Sequence, residues 1–217
     1  DRKDDAHYKR GRAGYSSKAH NAVEPQPLKP RNGDAPEAVD WRLTPYVVTD
    51  VKNQGQCGSC WAFSATETIE SAFVLAGGPP VEMSPQQIAS CTKNEDECCD
   101  GCAGGDTVAA YEYLMASDGL APEPYWPYQQ GLIPSDECLT ARCTKSCSTD
   151  LTVLKSDFTY IGPYATLSNY SFATPECTAG ACSSQNLTEL AARVVESPVS
   201  ICVNAANWDD YTGGVMT

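Results

Sequence analysis

From Ser59 to Ala76 the chain runs without Gly or Pro. Within it Ala62, Ala65, Ile69, Ala72, Phe73 and Ala76 recur every three to four positions, which predicts a helix with one buried face. Gly77-Gly78-Pro79-Pro80 marks its end. A second helix is expected after a Ser84 cap, through Gln86 to Ala89. A third is expected after Gly105, where Val108, Ala109, Tyr111, Leu114 and Met115 repeat suitably. Beyond Pro122 the pattern breaks into loops rich in Pro, Gly, Tyr and Cys. Short strands are then expected at Phe158–Ile161 and Val199–Val203, with one helix from Leu187 to Val195 between them. Helices gathered ahead of strands predict an α+β arrangement of two lobes, not alternating βαβ units.

Residues 1–33 have no sustained apolar period and carry Lys9-Arg10-Gly11-Arg12 and three prolines, so they read as a poorly ordered leader. The body is expected to occupy residues 34–217. Eight Lys/Arg against four Asp/Glu give the leader +4, and seven against twenty-four give the body −17, together the net −13. An acidic body excludes nucleic acid as its partner, since a phosphate backbone requires a positive face. No stretch approaches the roughly 18 consecutive apolar residues of a membrane span. With Asp1 first and no apolar h-region, the start reads as lying inside a longer precursor.

Twelve cysteines imply an oxidising compartment, hence the secretory route, with a lysosomal, vacuolar or extracellular destination. The sequons Asn169-Tyr-Ser171 and Asn186-Leu-Thr188 agree with that route and mark Asn169 and Asn186 as candidate glycosylation sites. Cys177 and Cys182 flank Thr-Ala-Gly-Ala and are candidates to close a small hairpin, whereas Cys98, Cys99, Cys143 and Cys147 cannot be paired from sequence.

The chemically informative segment is Asn53-Gln54-Gly55-Gln56-Cys57-Gly58-Ser59-Cys60-Trp61-Ala62. It places Cys60 in the first turn of the long helix, where unpaired N–H groups and the helix dipole favour a thiolate nucleophile. Gln54, on the loop entering the helix, is positioned to offer a side-chain amide beside the Cys60 N–H to an oxyanion.

Cys57-Gly-Ser-Cys60-Trp61 resembles the nucleophile signature of the papain and cathepsin family, with Gln54 matching that family's oxyanion glutamine. Ala35-Pro-Glu-Ala-Val-Asp-Trp41, Cys102-Ala-Gly-Gly105, Tyr125-Trp-Pro-Tyr128, Pro198-Val-Ser200 and Tyr211-Thr-Gly-Gly214 resemble further segments of the family in the same order. The resemblance implies a papain-like two-lobe fold with a complete helical left lobe and a truncated β-rich right lobe. It implies a cysteine endopeptidase working through an acyl-enzyme, needing no cofactor or metal, acting on polypeptides as a monomer. It further implies disulfides Cys57–Cys102 and Cys91–Cys138. Gly104 and Gly105 would bind substrate backbone, Cys202 would lie in a specificity pocket as a free buried thiol, and residues 1–33 would be the end of an inhibitory propeptide.

The family's histidine follows the nucleophile by about 130–150 residues. His7 and His20, both in the leader, are the sequence's histidines. With an insertion around residues 138–186, the family pattern puts the catalytic histidine about ten residues past Thr217 and an Asn-Ser-Trp later.

Cys57-Gly-Ser-Cys60 is a C-x-x-C, but the βαβ context of a thioredoxin-like redox site is missing. A zinc site from Cys57, Cys60, Cys99 and Cys102 has too long a spacer. A catalytically inactive binding relative and an exopeptidase of the cathepsin B sort are the alternatives to an endopeptidase.

Overall fold

The computed structural model describes residues 36–92, 101–129, 165–175, 185–203, 208, 212 and 213. Its longest helix, α1, covers Cys60–Leu75. At its end Gly77 takes φ +92°. There the Gly78 N–H bonds to the Phe73 carbonyl and the Gly77 N–H to the Val74 carbonyl, both at 2.9 Å. These two bonds are the Schellman arrangement that satisfies a helix's last carbonyls. A side chain at Gly78 would put Cβ 2.6 Å from the Phe73 ring, so both glycines have work here, one of torsion and one of space.

Two further helices pack on α1: α2 (Pro85–Cys91) and α3 (Thr107–Ala116). Ser84 caps α2 by accepting from the Gln87 N–H at 3.1 Å, with Pro85 in the first turn, where its missing donor is harmless. Asp106 caps α3 by accepting from the Val108 N–H at 2.8 Å. The core between them is built on Trp61, Ala62, Ala65 and Ile69 of α1, Ile88 and Ala89 of α2, Ala109, Ala110 and Leu114 of α3, and Met83, Leu120 and Ala165. Small side chains on α1 and α3 let the helices approach closely, and Met83, Ile88, Leu114 and Leu120 fill the remaining volume.

All of α2 is buried, its two glutamines included, and both glutamine side chains donate and accept hydrogen bonds. The Gln87 amide donates to the Gly119 carbonyl at 2.9 Å and to the Tyr113 hydroxyl at 3.0 Å, and accepts from the Ala121 N–H at 2.7 Å. Gln86 donates to Ser90 Oγ at 2.8 Å and accepts from the Gln129 N–H at 2.9 Å. These buried amides fix the 119–129 segment against the helices, because leaving any one unbonded would carry the full desolvation penalty.

The α1 stripe differs in part from the periodic expectation. Ala62, Ala65 and Ile69 are buried, but Ala72 and Ala76 are exposed. The same helix buries Phe63, Thr66, Glu70 and Ser71 instead, because neighbours surround its first two-thirds while its last turn projects beyond them. Glu70, only 2% exposed, accepts from Thr49 Oγ1 at 2.7 Å, Lys52 Nζ at 2.9 Å and the Met83 N–H at 2.7 Å. A buried carboxylate so furnished ties the 49–52 loop and the Met83 segment to α1.

The last helix, α4, spans Leu187–Val194, one residue shorter than expected. Asn186 caps it, accepting from the Thr188 and Glu189 N–H groups at 3.1 and 3.2 Å. Trp41 Nε1 donates to the Val194 carbonyl at 2.6 Å, joining the start of the body to this distant helix.

Among the described residues β pairing is limited to the isolated bridges Met83–Pro122 and Leu120–Ala165. The strand expected at Val199–Val203 is not formed in its described residues: the segment is irregular, and Ile201 and Val203 remain 59% and 49% exposed. Correspondingly, Cys202 is exposed, not buried as expected. Apolar alternation produces a buried strand only where an edge is paired and a face covered, and this segment has neither among the described residues. Phe158–Ile161 lies outside the described residues. No helix among the described residues is long and apolar enough to cross a membrane.

Candidate active site

Cys60 is the first residue of α1, and it is exposed while Ser59 and Trp61 on either side are 0% and 4% exposed. The chain therefore presents this one thiol from an otherwise buried turn. Ser59 stands at the N-cap position without capping through its side chain. Its hydroxyl is engaged with the Tyr128 hydroxyl at 2.7 Å, which itself donates to the Gln54 carbonyl at 2.9 Å. Since Tyr128 has one proton to give, Ser59 is the donor in the first bond. The diversion means that the Ser59 hydroxyl caps none of the first N–H groups of α1, where partial positive charge accumulates, although its carbonyl accepts from the Ala62 and Phe63 N–H groups.

Tyr128 is a residue whose role the sequence reading missed, noting it only within an aromatic segment. It locks the entry loop at Gln54 to the helix start at Ser59 and packs edge-on against Phe63, with ring centroids 4.7 Å apart. A Tyr 69 positions from Ser59 in sequence carries no local signal of that contact.

Gln54 is half-buried, and its amide Nε2 donates to the Cys57 carbonyl at 2.7 Å. One of its two amide protons is thus held by the turn leading to Cys60, and the other is directed elsewhere. The Cys57–Cys102 disulfide, with Cα atoms 4.6 Å apart, ties that turn to the 101–105 loop. The Gly58 N–H donates to the Cys102 carbonyl at 3.0 Å, and Trp61 Nε1 donates to the Gly101 carbonyl at 3.2 Å. A Cβ on Gly105 would lie 2.3 Å from the Trp61 indole, so the loop passes flat over the side chain that follows Cys60. Gly104, at φ +123°, takes a torsion that L side chains rarely adopt. The glycines singled out from sequence therefore share one place with Cys60 through Trp61 and the disulfide.

The same disulfide removes two rival arrangements. Cys57 bonded to Cys102 cannot form a C-x-x-C cystine with Cys60, nor can it serve as a zinc thiolate.

The 198–203 segment meets the second turn of α1. Ser64 Oγ on α1 and Ser200 Oγ are 2.6 Å apart. Burial pushes the Tyr111 hydroxyl up, and the nearby Thr68 and Ser200 side chains pull it the other way. Cys202 is open to solvent as a residue, yet the protein around its sulfur pushes the thiol up, with the negative charges of Asp106 and Cys60 adding to that effect.

Cys91 is disulfide-bonded. Cys138, Cys177 and Cys182 lie outside the described residues. The side-chain oxygen of Asn169 accepts from the Tyr170 N–H at 2.8 Å, and Asn186 is the exposed cap of α4. His7 and His20 also lie outside the described residues.

Residues 35–217 match the sequence profile of the papain family cysteine protease. Probable cysteine protease RD19B of Arabidopsis thaliana is 34% identical over 186 residues, covering 83% of this chain and 43% of that protein. A cysteine proteinase of Trypanosoma brucei brucei is 32% identical over 215 residues, covering 98% and 40%. Among solved structures, digestive procathepsin L 3 of the Tenebrio molitor larval midgut superposes with a TM-score of 0.57 at 26% identity, over 89% of this chain and 50% of that one. The chain spans less than half the length of the curated relatives named here.

Proposed function

The chain belongs to the papain family of cysteine proteases and has the papain-like fold, and from that premise we propose that it is the nucleophile-bearing part of a cysteine endopeptidase. The observation that carries the reading is the exposed thiol at the first residue of α1, between two buried neighbours and after a turn whose Cys57 carbonyl accepts from the Gln54 amide.

In this reading a base takes the Cys60 proton and the thiolate attacks a peptide carbonyl. The oxyanion is met by the Cys60 N–H and the amide proton that Gln54 does not give to Cys57. The base then protonates the leaving amine, and water releases the acyl group. Gly104 and Gly105, without side chains, leave an extended substrate backbone room to approach, while Cys202 stands at the wall opposite. The family pattern supplies a histidine as that base. Disulfide bonding and the two sequons support passage through the secretory route, with glycans at Asn169 and Asn186. The positive leader against the negative body supports residues 1–33 as the end of an inhibitory propeptide, and the T. molitor relative was itself solved as a procathepsin.

The test is a full-length protein carrying Cys60→Ser, assayed on a long unstructured polypeptide. The expected loss in kcat/KM is on the order of 10⁴-fold or more, with internal cleavage products in the parent. Release of C-terminal dipeptides alone would select an exopeptidase, and a parent no faster than the variant would select an inactive binding protein.

A further inference from the structure

Gln54 and Ser59, at the two ends of the turn that leads into Cys60, are tied to each other through one oxygen that belongs to neither. The Tyr128 hydroxyl donates to the Gln54 carbonyl at 2.9 Å and stands 2.7 Å from Ser59 Oγ, so those two atoms lie no farther apart than two hydrogen bonds. Ser59 is 0% exposed and Tyr128 7%, which gives water little access to compete for either bond. Tyr128 itself rests on other parts of the scaffold. Its N–H donates to Glu123 Oε1 at 2.7 Å, its ring meets Phe63 edge-on, and Ser84 Oγ donates to the Trp126 carbonyl two residues earlier at 2.6 Å. The Gln54 side chain is fixed separately, by its bond to the Cys57 carbonyl at 2.7 Å. From an anchored platform, one hydroxyl therefore sets how far the Gln54 backbone stands from the residue before Cys60.

We propose that Tyr128 is a positioning residue for the oxyanion site, its hydroxyl holding the Gln54 amide and the Cys60 N–H at the separation that one developing oxyanion needs. The proposal rests on the peptidase reading. Buried as it is, Tyr128 acts through Gln54 and Ser59 and not on substrate. One oxyanion donor is the side chain of the residue whose carbonyl Tyr128 holds, and the other is the N–H that directly follows Ser59. Such donors stabilise the intermediate only when both meet the oxygen at hydrogen-bond distance, so a shift at either end of the link weakens one of them. Loss of the hydroxyl thus weakens binding of the transition state and leaves binding of the substrate as it was. The acidity of the Cys60 thiol is a separate matter. It comes from the helix start, which the Phe63–Tyr128 ring contact and the Cys57–Cys102 disulfide hold whether or not the hydroxyl is present.

Full-length Tyr128→Phe, which keeps the ring, is compared with the parent in cleavage of a peptide amide and in alkylation of Cys60 by iodoacetamide, a reaction that builds no oxyanion. The variant's kcat is expected to fall about 10–100-fold with KM held within about twofold. Alkylation, followed by mass spectrometry as the adduct on Cys60, should stay within about twofold of the parent. In a protein already carrying Gln54→Ala the same change should cost less than about threefold, because the donor it positions is gone. Ser59→Ala, which removes the other end of the link, is expected to show the same split between cleavage and alkylation, and it decides the matter if Tyr128→Phe does not fold. An unchanged kcat in folded Tyr128→Phe, a kcat and an alkylation rate that fall together, or an undiminished loss on top of Gln54→Ala would overturn the proposal. A parent that is alkylated at Cys60 yet cleaves no peptide removes the peptidase reading and the proposal with it, whereas a cleaving parent matched by its variant removes the proposal alone.

Discussion

Two regions approach the Cys60 thiol, and they are held in unlike ways. On one side, residues 54–92 and 101–128 form a scaffold in which almost every approach to Cys60 is fastened twice. The turn before it is bonded to Gln54 and closed by a disulfide, the helix start is locked by Tyr128, and the 101–105 loop is pressed against Trp61. On the other side, residues 198–203 run irregularly with Ile201, Cys202 and Val203 exposed, attached to α1 through the Ser200 hydroxyl. The contrast teaches that the position of the nucleophile is over-determined while the opposite wall is lightly held. Reactivity depends on tenths of an ångström at one sulfur, whereas a wall that meets substrate side chains can vary without disturbing it.

The comparison can be broken most forcefully at the disulfide. Replacing both Cys57 and Cys102 by Ala frees a loop of 45 residues' separation and is expected to cost about 4 kcal/mol from chain entropy. Urea denaturation of the full-length protein checks it, and a change under about 1 kcal/mol would show that the scaffold is redundant there. Glu70→Ala comes next, at about 3 kcal/mol, because Lys52 and the Met83 N–H would be left without their buried acceptor. Tyr128→Phe should cost about 1–2 kcal/mol by leaving the buried Ser59 hydroxyl without its acceptor and releasing the Gln54 carbonyl. Ser200→Ala should fall within about 0.5 kcal/mol, as a lightly held wall requires; a loss as large as that at Tyr128 would erase the distinction between the two regions.

Acidity sharpens the same scaffold. Glu123 is pushed up chiefly by burial, with the Tyr128 N–H pulling the other way and the charges of Glu82 and Glu70 adding. Its Oε2 has no hydrogen-bond partner among the described residues. A carboxyl raised in the fold binds its proton more tightly folded than unfolded. Its contribution is therefore fully present below the unfolded value and is lost as pH rises through the folded one. Glu123→Gln keeps the acceptor for Tyr128 and removes the ionisation. The variant should match the parent in acid and exceed it at neutral pH, which denaturation at the two pH values will read out.

Much of the scaffold was legible in the chain because its signals are local. The Ser84 cap, the Gly77-Gly78 stop and the helical periods act within a turn or two, and the observed helices follow them. Cys60 and Gln54 were visible because a thiol at the start of a helical period, after a glycine-bearing loop, is a local pattern as well, whereas Gly104 and Gly105 came through the resemblance to the family. What escaped depends on contacts remote in sequence. Glu70 sits in a helical repeat where a carboxylate predicts exposure, and only the arrival of Lys52 and Met83 makes its burial tolerable. Tyr128 joins Gln54 and Ser59 from 74 and 69 positions away. Val199–Val203 has strand composition, but a strand is completed by a partner, which the segment lacks among the described residues.

The central claim is that Cys60 alone becomes acylated. Full-length protein mixed with a slowly deacylating peptide ester, quenched in acid and mapped by mass spectrometry, measures it directly. The account predicts one acyl group per molecule, on Cys60, and none after Cys60→Ser. An acyl group on Cys202 or any other residue, or none at all while peptide is still being cleaved, would contradict it.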